Sequence, residues 1–154
     1  MQRTIIIPLL FSLVCFAGCG NQDNPFGAVY VEGTVTLDGE PIDGVNITFL
    51  PLGDGMAAGG ITDARGRYTV TTGGSRVGSG AQPGTYNVIF SKVEYEGLDL
   101  SMEEFRAQFG VGMAPRTFIV PQRYGNEGTT GFEPVTVTTN RRDNVFNFAL
   151  TTEP

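Results

Sequence analysis

The chain of 154 residues contains no histidine and no tryptophan, and its single lysine is Lys92. Without histidine there is no Ser-His-Asp triad, no imidazole-bound metal and no imidazole pH switch. Ten basic side chains face sixteen acidic ones, for a net charge of -6. Phosphate backbones and anionic lipid surfaces are held by Lys and Arg, so this balance argues against nucleic acid and against nonspecific adhesion to charged bilayers. Cysteine is confined to Cys15 and Cys19. Nothing beyond residue 19 can therefore form a disulfide within the rest of the chain.

The N-terminal segment is distinctive. Arg3 supplies a basic start, and residues 5–16 form an apolar run of signal-peptide length, shorter than the span of about 20 residues that a transmembrane helix needs. Phe16-Ala17-Gly18-Cys19 then resembles the lipobox of bacterial lipoprotein signal peptides. That resemblance implies a signal peptide over 1–18, cleavage after Gly18 and lipidation of Cys19. Removing 1–18 takes away Arg3 and no acid. The polar, turn-prone stretch that follows reads as the start of a tether over 19–28. Gly20 stands where enterobacterial lipoproteins kept in the inner membrane carry Asp. The expected location is the cell envelope, anchored to a membrane through Cys19, with the outer membrane favoured.

Beyond the tether, short alternating runs are separated by glycine. Residues 29–37 place Val29, Val31, Val35 and Leu37 on one face, with Gly33 a bulge or a point of close approach. Asp38-Gly39 predicts a type I′ hairpin turn. Val45, Ile47 and Phe49 form the next apolar face. Residues 51–60 and 73–84 read as glycine-rich loops, 61–63 as a short strand, and 67–72 as a strand with Tyr68 and Val70 inward. Residues 85–92 alternate most clearly, through Tyr86, Val88 and Phe90. Further strands are expected over 117–120, 134–139 and 144–150, the last with Phe146, Phe148 and Leu150 on one face. Between them, Ser101-Met102-Glu103-Glu104 has capping-box form, and Phe105 and Phe109 fall one helical turn apart. A helix over 102–109 is expected inside an insertion at 93–116, its two Phe packed on the main body. This pattern predicts an all-β fold: a single β-sandwich of about seven strands with one short helical insertion.

Val31-x-Gly33-x-Val35-x-Leu37-Asp38-Gly39-x-Pro41, Thr62-Asp63-Ala64-Arg65-Gly66-Arg67-Tyr68 and Pro83-Gly84-Thr85-Tyr86-x-Val88 resemble carboxypeptidase regulatory-like domains. These are transthyretin-like, Ig-like sandwiches. Ile119-Val120-Pro121-x-x-Tyr124 and the closing Asn144-x-Phe146-x-Phe148-x-Leu150 are similar to small lipoproteins of this class from planctomycete bacteria. The resemblance covers nearly all of 29–152, the expected domain, and implies a fold rather than a chemistry. It assigns Asp63 to its own turn, and Tyr68 and Tyr86 to core rings with hydroxyls at the edge.

No catalytic residue set emerges. Asp38, Glu40, Asp43, Asp54 and Asp63 fall in turns without calcium-loop spacing, so solvated carboxylates are expected and no metal. Glu94, Glu96, Asp99, Glu103 and Glu104 form an acidic stretch read as a solvated face. Residues 73–80 lack the Gly-Lys-Ser/Thr end of a phosphate loop, and no cofactor is expected. The reading is a noncatalytic envelope module that contacts a protein or glycan through loops or the 93–116 insertion. The alternatives are a carboxylate-dependent envelope hydrolase, which needs two carboxyls converging in one pocket, and a small-ligand carrier of transthyretin type.

Overall fold

The computed structural model describes residues 26–73 and 75–153. The signal segment 1–18, Cys19 and the first part of the tether lie outside them. The described chain is mostly β, with several antiparallel pairings and one α-helix.

The first sheet is built around β1 (Glu32–Leu37). A two-residue turn joins it to β2 (Glu40–Pro41), with Leu37 opposite Glu40. Asp38 and Gly39 both have positive φ, 52° and 88°, as the type I′ turn requires. The second sheet contains β3 (Asn46–Pro51) and β4 (Ala58–Ile61), in register from Asn46–Ile61 to Phe49–Ala58. The expected loop over 51–60 is thus shorter, and its last glycines are strand. Gly60 is there because backbones crowd: a Cβ on it would strike the carbonyl oxygen of Thr69.

Residues 67–72 do not form one strand. β5 (Arg67–Thr69) pairs with β1 in the first sheet, and β6 (Thr71–Thr72) pairs with β4 in the second. Fully buried Val70 lies at the crossing from one sheet to the other. β7 (Gly84–Ser91) is the longest strand and pairs with β3 along six residues. The expected loop over 73–84 is broken by bridges from Gly80 to Thr71 and from Ala81 to Val29.

After β7 the chain leaves the main body as an arm. β8 (Val93–Tyr95) and β9 (Arg116–Phe118) pair only with each other, and α1 (Met102–Phe109) lies between them. The expected strand at 117–120 begins one residue earlier and stops at Phe118. The chain then returns through a 3-10 turn, Gln122–Gly125, that buries Tyr124. β10 (Val135–Val137) completes the second sheet beside β7. The last strand is only β11 (Phe148–Leu150), and it lies parallel to β1. Residues 144–147 are excluded from it because Asn144 is fully buried as a polar joint. Its amide donates to Thr138 O at 2.9 Å, and its Oδ1 accepts from Thr138 N at 2.9 Å.

Side chains from both sheets meet in one core containing Val31, Val35, Ile47, Phe49, Phe90 and Leu150. Aromatic edges lock them across the gap, with Phe90 4.9 Å from Phe148 and Phe49 6.4 Å from Tyr68 between ring centroids. Both tyrosines place their hydroxyls at the core edge. Tyr68 donates to Phe146 O at 2.8 Å and Tyr86 donates to Gln82 O at 2.8 Å.

Candidate interaction surface

The arm begins where Lys92 ties it down. The ammonium donates to Asp43 O at 3.0 Å and lies 3.9 Å from Glu94. The main chain of Lys92 also receives the amides of Ile119 and Val120. Three residue pairs follow, from Val93–Phe118 to Tyr95–Arg116, with the Arg116 guanidinium 5.2 Å over the Phe118 ring.

At the tip, helix α1 forms because its first turn is capped at both ends of the box. Ser101 N donates to Glu104 Oε2 at 2.9 Å, and Glu104 N donates to Ser101 Oγ at 3.3 Å. Bonds from the Ser101 hydroxyl and amide hold the Glu104 carboxyl below its ordinary range. Phe105 and Phe109, 5.0 Å apart, fold back on the arm's own turn. A Cβ on Gly97 would meet Phe109, Leu100 and Phe105 side chains. The expectation that these rings pack on the main body is corrected: the core does not include them, and α1 buries no residue. A helix of eight residues with one small apolar face has too little area to dock on two sheets while serving as a tip.

The arm instead displays apolar side chains to solvent. Among the described residues, six of the twelve exposed large hydrophobics lie on it: Tyr95, Leu98, Met102, Val111, Met113 and Phe118. Leu98 is 80% exposed, Met113 91% and Val111 fully. Single exposed apolar residues are ordinary, whereas such a concentration on one element makes the arm the candidate contact surface. Glu94, Glu96, Asp99 and Glu103 are exposed around them.

A second feature lies on the main body. A groove of about 490 Å³ is lined by Tyr30, Glu32, Ile61, Asp63, Arg67 and Asn147, among others. Neither acid stands as an unengaged catalytic carboxyl. The Asp63 Oδ1 accepts from Arg67 N and Arg65 N, both at 2.9 Å, and these amides pull its carboxyl below the usual range. Glu32 accepts the Tyr30 hydroxyl at 3.1 Å. A neighbouring groove of about 560 Å³ meets the first at Ile61 and Thr69 and includes Val77.

Of the turn carboxylates, Asp63 takes the turn role expected of it, and Asp38, expected to be solvated, is structural as well. Asp63 closes its turn, and Asp38 accepts from Thr152 N at 2.9 Å and Thr152 Oγ1 at 2.8 Å. Glu40, Asp43 and Asp54 are exposed and do not join them. Among the described residues, no three Cys, Asp or Glu side chains converge as a metal site, and no helix is long and apolar enough to cross a membrane. The exposed arm was reachable from the sequence through its 93–116 boundaries, but its apolar display was not. Phe105 and Phe109 fall at helical spacing, while Leu98, Val111 and Met113 follow no period. No family model, curated protein or solved structure matches the chain.

Proposed function

We propose that this chain is a noncatalytic lipoprotein of the cell envelope. Lipid on Cys19 holds it to a membrane, and a short tether leads to a β-sandwich of the carboxypeptidase regulatory-like kind. The arm running from Val93 to Phe118 is its contact element, and its partner is a protein of the envelope. One observation carries this reading: half of the exposed large hydrophobics among the described residues lie on that arm. Two sheets sharing one core support the sandwich. The lipobox-like Phe16-Ala17-Gly18-Cys19 supports the anchor. Apolar side chains favour a protein over a glycan, because a glycan offers mostly hydroxyls and would leave them unmatched.

The test has two parts in intact cells. Cys19→Ser should move the protein from the membrane fraction to the soluble one; unchanged membrane attachment would end the lipoprotein reading. With Cys19 restored, chemical crosslinking should give protein adducts that disappear when Leu98 and Met113 are both replaced by Ser. Both side chains are solvent-exposed, so their loss should leave folding within about 0.5 kcal/mol of the parent. Adducts that persist in the double variant would exclude the arm as the contact element.

A further inference from the structure

The main body carries a surface that complements the arm. Of the six remaining exposed large hydrophobics among the described residues, Ile61, Val77 and Val145 line the two joined grooves. Arginine is gathered at the same place. Arg67 lines the first groove, and Arg65 shares its turn. The Arg141 guanidinium sits 4.0 Å over the Tyr30 ring that borders it, with Arg142 next along the chain. Arg65 and Arg67 share a turn with Asp63, and Arg141 and Arg142 share one with Asp143, so with Glu32 this surface sets four cations against three carboxylates. The arm is the reverse, with Glu94, Glu96, Asp99, Glu103 and Glu104 against Arg106 and Arg116.

We propose that the arm's partner is a second copy of this chain, with the arm of one molecule lying in the joined Ile61–Val77–Val145 grooves of the next. This rests on the arm being the contact element. It adds the occupant, argued from matching apolar content and opposite charge. An acidic arm is repelled by anionic lipid, which separates this surface from a membrane-inserting one. Both grooves lie open, and each has the volume of a site that takes several side chains. Arm and groove are different surfaces, so the contact is head-to-tail and repeats from molecule to molecule. Anchoring on a membrane would raise the local concentration that such a contact needs.

The experiment uses the full chain in intact cells, with a photo-crosslinking amino acid in place of Met113, a position exposed enough to accept it. The expected product is an adduct of two copies whose crosslinked peptide maps beside Ile61, Val77 or Val145. Ile61→Asp or Val145→Asp should lower its yield about tenfold by placing a charge in the contact, and added salt should lower it as well. Leu52→Asp, an exposed apolar position away from both surfaces, should leave it unchanged and controls for folding. Adducts formed only with other proteins would overturn the second-copy assignment and leave the arm as a contact element. Copy-to-copy adducts mapping elsewhere, or equal loss with Leu52→Asp, would also overturn it. No protein adduct at all would overturn both readings.

Discussion

At Gly33 a missing side chain sets how closely two segments can lie. A Cβ there would strike the carbonyl oxygen of Phe146 and press on the Tyr68 ring, whose hydroxyl binds that same carbonyl. Gly33→Ala should therefore cost about 3 kcal/mol, read as a lowered urea midpoint, because making room would break the Gly33–Tyr68 pairing of β1 with β5 or pull Phe146 O from the Tyr68 hydroxyl. Asp63 makes a pH prediction. Its folded-state carboxyl is depressed by the amides of Arg67 and Arg65, and that of Asp38 by Thr152. A depressed acid stabilises the fold above its unfolded value and loses that contribution as pH falls through the folded one. Stability should thus be steady near neutrality and decline below about pH 4, and Asp63→Asn should flatten that decline in acid titrations of the urea midpoint. Asp63, Tyr68 and Tyr86 were legible in the sequence because each acts within its own turn or through its own ring, whereas the partners of Gly33 and Asp38, Phe146 and Thr152, lie too far along the chain to be read from it. Close approach at Gly33, the turn at Asp63 and the edge hydroxyls of Tyr68 and Tyr86 all follow from residue type and spacing.

Elements were legible where their signals are local. The helix Met102–Phe109 follows from its capping box, which is complete within four residues. Ser101→Ala should cost that helix about 1 kcal/mol, seen as faster amide exchange over 102–109. The global unfolding midpoint should not move, since α1 buries nothing in the core. Elements that depend on distant backbone were not legible. The strand through Gly59 and Gly60 looks like a loop because glycine usually marks turns, and the crowding against Thr69 O explains Gly60. The split of 67–72 between two sheets is equally silent, since Tyr68, Val70 and Thr72 keep one period across the crossing. Phe105 and Phe109 show the same limit: the helical spacing is right, but spacing does not say which surface the rings cover.

For the whole molecule, the core joins the two sheets into one unit. Phe148→Ala removes a buried ring whose neighbours Phe90 and Phe132 lie 4.9 and 5.3 Å away. The loss should be about 3–5 kcal/mol, and fluorescence and circular dichroism should still report a single coincident transition. The pairing that supports this unit is also its latest. β1 finds β11 across the chain, as Thr34 finds the side chain of Asn147 113 residues later. Until that final strand has been made, the first one has half its edge unfilled, and the Tyr68 hydroxyl lacks the carbonyl it closes on. The domain thus carries a built-in delay: a ribosome, or any pore that threads the chain, must release its last strand before the first can lock.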